Sequence, residues 1–573
     1  MVTLARCDDT VAPRVPPVAA DPLSWADQLV IALTSVGITN YFGVPGGAIE
    51  PLFNALSRQQ RAGLVKLTPT RSEAGAAFAA DGYYRATGRM AVCTATTGPG
   101  ITNLLTAVMS AHADRIAMLV ITPQVALSKQ GRGALQDSSS DGYDLEKMLS
   151  ECTRYSSIVT HADQLAHKLA RALSIALSSP TGPVHLSISS DILAARAPGP
   201  IPEPLAARWV SMAMDREAIE ALAEALFTSQ NPVFYVGDDA GPAAQRLLTL
   251  ADGIGANVVS SPAGKRWVTH SDPSYCGVLG FSGHVEAARA VAAADLLIAF
   301  GATFDELSTN AWAVIPRVPL YSVDRHIGHA YRVASARPVI ADPGRAIDWL
   351  CERAPQSARS QRKPKAPRSP CLVRGSSQAA VHPTDLMRWL SHELPEDVVV
   401  HVDAGNSFSW STRDLVRTRP DTYRVAMGLS TMCWAIGAVI GAAVASPRRT
   451  LCICGDGSML MSSLELTVAV EQNLPVTYMV LNDSGLGMVR HGQRLAGAES
   501  IAHEIAPVRF DRLAKACGAR GTRVSRVAQL ARVPRAWLSE DAGGPCVIDV
   551  CIDRSAVPPM ADRVLGLAVG IPK

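Results

Sequence analysis

Three consecutive doubly wound parallel α/β domains are the fold class that the sequence predicts, on three observations. Short apolar, strand-like runs alternate with alanine-rich helical patterns along most of the chain. Two proline-rich stretches, 194–205 and 354–379, interrupt that rhythm and divide it into three blocks. The 573 residues are about four times a typical domain of ~150, enough for several buried cores.

The first block, 21–195, shows the βαβ rhythm in a strand at 90–97, a helix at 101–112 and a strand at 116–122, and closes on a strand at 184–189. The segment AARAPGPIPEPL then reads as a linker. The central block, 206–353, carries the strand runs VFYVG, NVVSS, DLLIAFG, PLYSVD and PVIAD. Residues 354–380, basic and rich in proline and serine, read as a flexible connection. The third block, 381–555, repeats the pattern with VVVHVD, TLCICGDG, VTYMVLND and CVIDVCID. The first 20 residues lack a packing pattern, and the Pro- and Gly-bearing tail 556–573 could serve as a lid.

Charge and composition exclude several classes. With 54 Lys+Arg against 51 Asp+Glu, the net charge of +3 provides no broad basic surface, so no nucleic-acid partner is expected. The most apolar run, 432–445, has 14 residues, short of the ~18 needed to span a bilayer, and the N-terminus lacks an apolar signal core. A cytoplasmic protein with no membrane partner is the expectation. The 12 cysteines are scattered without a C-x-x-C pair, as reduced core thiols are.

The most specific local signal is Gly455-Asp456-Gly457-Ser458 directly after the strand TLCIC. A helix and a second strand follow, the latter ending in Asn482-Asp483-Ser484-Gly485, so that Asp483 lies 27 residues after Asp456. A strand–turn–helix–strand unit of that length brings both carboxylates to the carboxyl edge of one sheet, where α/β folds bind ligands. Glycines admit a phosphate, a helix N-terminus supplies N–H donors, and paired aspartates suit a hard divalent cation. That is equipment for an Mg2+-bridged diphosphate.

The arrangement resembles the thiamine-diphosphate motif, and the resemblance extends over nearly the whole chain to the acetohydroxyacid synthase (acetolactate synthase) large-subunit family, whose pyrimidine-binding, central and diphosphate-binding domains come in that order. It implies thiamine diphosphate and Mg2+ as cofactors, with Asp456, Asp483 and the Gly485 carbonyl as metal ligands; the family usually has Asn at Asp483. Thr70-Arg71-Ser72-Glu73 resembles the segment whose glutamate activates the cofactor by stabilising the imino tautomer of its aminopyrimidine, which makes Glu73 the catalytic acid and places Ser72 where the family usually has His. Tyr41-Phe42-Gly43-Val44-Pro45-Gly46-Gly47 and Thr97-Gly98-Pro99-Gly100-Ile101-Thr102-Asn103 resemble the FGxPGG and TSGPGxTN runs, and Gln124 and Gln136 align with glutamines near the reacting centre. Met432 aligns with the apolar wedge that bends the cofactor. Gly47, Gly98, Asn103, Gly405, Asn406, Gly455, Gly457, Ser458, Leu486, Gly487 and Met488 complete the implied cofactor contacts.

The resemblance also implies a function: decarboxylation of a 2-oxo acid, pyruvate first, with carboligation of the activated fragment to a second carbonyl compound, in a homodimer or homotetramer. A flavin-linked oxidase of pyruvate-oxidase type and a simple 2-oxo acid decarboxylase are the alternatives. The substrate pocket departs from the family at Leu135, where it has Phe, and at Gly492, where it has Trp; loss of an indole makes room for a bulkier acceptor. Phe304-Asp305 resembles the flavin-contacting segment, but Thr303 and Leu307 stand where the family has arginines, leaving FAD, ADP or an empty pocket open.

Overall fold

A computed structural model describes residues 23–201, 213–354, 380–539 and 543–560. The first 20 residues, the connection expected at 354–380 from 355 to 379, and the tail from 561 onward lie outside them.

Each block folds around a six-stranded sheet in which all neighbouring strands are parallel. The first contains β1 (Asn40–Gly43), β2 (Lys66–Pro69), β3 (Ala91–Thr94), β4 (Met118–Gln124), β5 (Tyr155–Val159) and β6 (Val184–Ser189). Their spatial order is β2-β1-β3-β4-β6-β5. The second contains β7 (Pro232–Val236), β8 (Asn257–Ser260), β9 (Tyr275–Val278), β10 (Leu296–Phe300), β11 (Leu320–Asp324) and β12 (Ala336–Ile340), in the order β12-β11-β10-β7-β8-β9. The third contains β13 (Val399–Val402), β14 (Tyr423–Val425), β15 (Thr450–Gly455), β16 (Val476–Asn482), β17 (Arg520–Val524) and β18 (Cys546–Cys551), in the order β14-β13-β15-β16-β18-β17. The first and third sheets therefore share one topology. Their strand order reverses between β1 and β3 and between β13 and β15, and a ligand crevice opens at such a reversal. In the central sheet the reversal lies between β7 and β10.

The glycine turn before the helix expected at 101–112 shortens the preceding strand. Gly98 sits at φ 68° and Pro99 opens the helix Pro99–Ala113, so β3 ends at Thr94 and residues 95–98 become a loop. The apolar run at 432–445 becomes the helix Trp434–Ala445, in which ten residues are buried. It is apolar all round because it lies between domains, and among the described residues no helix is long and apolar enough to cross a membrane.

Its partner is the helix Glu73–Thr87 of the first domain. Two glycines set the separation: a Cβ on Gly82 would lie 1.9 Å from the Ala438 carbonyl oxygen, and one on Gly441 would lie 1.7 Å from that of Ala79. Backbones this close leave no room for a methyl group. The buried Arg85 adds a polar clamp. It pairs with Asp81 and Asp114 and donates to the Val425 carbonyl, while the Trp434 indole N–H donates to Asp81 at 3.0 Å. Asp114 accepts from the backbone N–H of Gly428 at 2.6 Å. The central domain is tied to the third by Lys265, whose buried ammonium donates to the carbonyls of Ser411, Thr412 and Leu415 at the end of the helix Asn406–Asp414.

Gly441→Ala should cost roughly 1–3 kcal/mol or more of stability, because the added methyl must push two buried helices apart. Gly328→Ala, where nothing lies within 4 Å, should stay within about 0.5 kcal/mol of wild type. Thermal unfolding of both variants checks this; equal melting temperatures would contradict the close approach.

Candidate functional site

The third sheet brings the carboxylates of the GDG segment and of the next strand together. β15 and β16 pair with Gly455 opposite Leu481, so Asp456 and Asp483 leave adjacent strands at the same edge. Asp456 opens the helix Asp456–Ser462; one carboxylate oxygen accepts from the Gly457 N–H at 2.8 Å and the other from the Gly485 N–H at 3.1 Å. Burial, and then the charge of Asp483, push its carboxyl up to about 6. Burial also raises Asp483, opposed by Arg490, whose guanidinium is ion-paired with it. The extra negative charge expected at Asp483 is thus met by a buried arginine seven residues on, on the helix Gly487–Leu495. Sequence reading missed Arg490, although an arginine two turns after a buried aspartate is a legible signal.

Other predicted residues converge here. A Cβ on Gly487 would meet Asn406 Nδ2 at 2.6 Å and Asp483 Oδ2 at 2.7 Å, and one on Gly457 would meet Leu486 at 2.7 Å and Met432 at 3.4 Å. Met488, on the helix Gly487–Leu495, is partly buried against the core of the third domain. Gly405, at φ 91°, precedes the N-terminus of the helix carrying Asn406. Asn406 Oδ1 is buried without a hydrogen-bond partner, and beside Gly455 there is open space. A space lined by Asn406, Gly457, Leu486, Gly487 and Met432, with the Asn406 amide N–H2 turned towards Gly487, fits an organic diphosphate, and the orphaned Asn406 oxygen suits a donor or a cation. Two carboxylates and the Gly485 carbonyl fit Mg2+, whose remaining ligands would be water and phosphate oxygens. Among the described residues no group of three or more His, Cys, Asp and Glu could hold a metal alone.

Ser458 is the exception. Its hydroxyl bonds the buried Asp403, leaving only its backbone for a diphosphate. Asp403, which the sequence did not single out, also accepts from the backbone N–H groups of Cys433 and Ala435, at 2.9 and 3.0 Å, and so fixes the turn that presents Met432.

The first sheet assembles a second group at its β1–β3 reversal. Ser72 caps the helix that Glu73 begins, accepting from the Gly75 N–H. Glu73 Oε2 accepts from Asn103 Nδ2 at 3.0 Å, and Gly100 lies against Oε1. Gln136, at φ 61°, packs on Gly98, and its carbonyl accepts from Thr97 Oγ1. Gln124 is buried, its amide N–H donating to the Ser138 carbonyl while Oε1 has no partner. Gly47 faces open space, and its neighbour Gly46 abuts Thr96. Leu135 is 86% exposed in the single chain.

Gly492 lies within Gly487–Leu495, and a Cβ on it would meet only the Met560 Cε, at 4.0 Å, so the space expected there borders the C-terminal segment.

At the central reversal a cleft of about 880 Å³ opens towards the first domain. Three of its arginines are paired: Arg115 with Asp239 at 2.7 Å, Arg266 with Asp421, and Arg325 with Asp342. Thr303 donates to Asp305, which caps the short helix Glu306–Thr309. Asp238 and Asp239 occupy the turn after β7, where a dinucleotide's diphosphate would seek N–H donors.

Comparison with known proteins agrees with these two half-sites. The N-terminal thiamine pyrophosphate-binding domain family matches residues 23–145, the central domain family of the same enzymes residues 219–350, and the C-terminal thiamine pyrophosphate-binding domain family residues 403–550. The acetolactate synthase isozyme 2 large subunit of Escherichia coli (strain K12) is 32% identical over 93% of this chain and 96% of its own length. The isozyme 1 large subunit of that bacterium is 29% identical over 92% and 94%. In fold, the chain is similar to the thiamine diphosphate-dependent 4-hydroxybenzoylformate decarboxylase of Rhodococcus jostii RHA1, with a TM-score of 0.81, 22% identity, and coverage of 93% and 99%. With all three domains matched in order and a relative 32% identical over 93% of the chain, the chain belongs to the thiamine pyrophosphate enzyme family.

Proposed function

We propose that this enzyme is an acetolactate-synthase-like carboligase: it decarboxylates a 2-oxo acid, pyruvate first, and joins the remaining fragment to a second carbonyl compound. The closeness of Asn406 and Asp483 at Gly487, of Met432 and Leu486 at Gly457, and of Asp456 to Asp483 at one sheet edge is the observation that carries the cofactor site. The similarity to acetolactate synthase large subunits over most of the chain supports carboligation.

Thiamine diphosphate, when bound, would supply an acidic ring carbon as nucleophile and a cationic ring that takes up the electron pair left as carbon dioxide departs. Asp456, Asp483 and the Gly485 carbonyl would hold its Mg2+, and Asn406 its diphosphate. Met432 and Leu486, side by side over Gly457, brace an apolar surface that excludes water. Glu73, its carboxyl oriented by Asn103, would exchange a proton with the cofactor's aminopyrimidine ring. Gln124 and Gln136 flank the same turn with amide groups able to orient a substrate carbonyl or carboxylate.

The two half-sites belong to different domains, and we read them as completing each other across a two-fold axis of a homodimer or homotetramer, with the exposed Leu135 covered there. Three arginines of the central cleft are already paired and two aspartates stand at the turn where a dinucleotide diphosphate would lie, which favours the carboligase over the flavin-linked oxidase.

Glu73→Gln should retain thiamine diphosphate binding and lose about 10²–10⁴ in turnover of pyruvate, the scale of a proton-transfer group; near-normal turnover would remove it from the chemistry. Mass spectrometry of the products separates carboligation from simple decarboxylation, a hydroxyketone or acetohydroxy acid supporting the first and an aldehyde alone the second. Mixing Glu73→Gln with Asp456→Ala chains should restore activity, since a mixed dimer assembles one intact site from the two undamaged halves. Absence of complementation would place both halves of a site within one chain. Gly492→Trp should crowd Met560 and reduce use of bulky acceptors more than of pyruvate or acetaldehyde, by about 1–3 kcal/mol in kcat/KM; an equal loss for all acceptors would contradict a role in acceptor choice.

A further inference from the structure

The loop that delivers Glu73 is held from another domain. Glu465 lies nine residues after Asp456, on the turn Ser463–Glu465 that continues the helix begun by Asp456. It is a carboxylate only 2% exposed. One of its oxygens, Oε1, accepts from the Ser72 N–H and from the Ser72 hydroxyl, both at 2.8 Å. The other, Oε2, accepts from the Arg71 N–H at 3.3 Å. Ser72 Oγ in turn accepts from the Gly75 N–H at 3.0 Å, so one hydroxyl links the carboxylate to the first turn of the helix. Gly75 is a condition of this contact: a Cβ there would lie 2.2 Å from Glu465 Oε1. The Arg71 side chain extends the same junction to Thr467 and Glu471.

Burying a carboxylate is costly unless its lone pairs are filled, and burial does raise the Glu465 carboxyl. An apolar side chain would fill the niche at lower cost. What the carboxylate adds is direction. It accepts three hydrogen bonds from the two residues immediately before Glu73, at a helix N-terminus whose dipole favours negative charge. Asn103 holds the far end of Glu73. We propose that Glu465 is a positioning residue for Glu73, fixing the backbone from which the activating carboxylate projects and registering it to the metal-binding helix of the same chain. The proposal rests on the reading of Glu73 as the acid that activates the cofactor.

The test uses the full chain reconstituted with thiamine diphosphate and Mg2+. Four quantities are measured for wild type, Glu465→Gln, Ser72→Ala and Glu73→Gln: melting temperature, cofactor affinity, the pH dependence of turnover, and the rate at which the cofactor's C2 proton exchanges with D2O, read by acid quench and NMR. In Glu465→Gln an amide N–H2 faces either the Arg71 or the Ser72 donors, and the loop must shift. Exchange should slow by about tenfold to a hundredfold, the scale of a displaced catalytic group, with cofactor affinity unchanged and the pH profile altered. Wild-type exchange in Glu465→Gln, alongside slowed exchange in Glu73→Gln, would overturn the positioning role while leaving the functional reading intact. Wild-type exchange in Glu73→Gln would overturn both. A parallel loss of cofactor affinity in Glu465→Gln would assign the residue to cofactor binding and also overturn the proposal. If Glu465→Gln does not fold, Ser72→Ala decides: slowed exchange at unchanged affinity supports the junction, and wild-type exchange overturns it.

Discussion

The contact on which the rest of the structure depends is the glycine-mediated packing of Glu73–Thr87 against Trp434–Ala445. Both helices carry site residues at or just before their N-termini: Glu73 begins the first, and Met432 precedes the second by two positions. Gly82 and Gly441 let the backbones approach until carbonyl oxygens lie where methyl groups would otherwise be, so neither helix can slide without breaking dense packing. Fixing the helices relative to each other fixes both N-termini. Arg85, buried between Asp81, Asp114 and the Val425 carbonyl, adds a directional constraint that apolar packing cannot supply.

Buried carboxylates recur around this junction and fall into two kinds. Asp403, Asp81 and Glu465 are each filled by hydrogen bonds to a helix start, an indole, a guanidinium or a loop, and each anchors a segment bearing a predicted site residue. Asp456 and Asp483 differ: they repel each other at a sheet edge, and Asp483 is only part-compensated by Arg490. Asp456 also accepts from two backbone N–H groups, so what sets this pair apart is the neighbouring like charge, which a bound cation would relieve.

The central domain, with its own strand reversal and cleft, presents a third crevice of the same geometric kind. Its chemistry is different. Arginines and aspartates close on one another across it, and Lys265 locks the domain to the third by capping a helix. Geometry recurs with the fold, whereas the ligand chemistry is set by the few side chains at each turn.

The sequence by itself determined the three α/β blocks, because strand and helix periodicities are local, and it paired the GDG segment with Asp483, because a glycine turn and a carboxylate at successive strand ends lie close along the chain, whereas Glu73 was singled out only through resemblance. The membership of Gly98 and Gln136 in one patch was legible only through resemblance, since 38 residues separate them. Tertiary structure alone decided which distant groups complete each local motif. Arg490 as the counter-ion of Asp483, Asp403 as the anchor of the Met432 turn, Met560 beside Gly492, and Glu465 against Ser72 all join segments that carry no shared pattern. The physical reason is that burial, not spacing, selects them: a buried charge or void must be answered by whatever side chain the fold brings within reach.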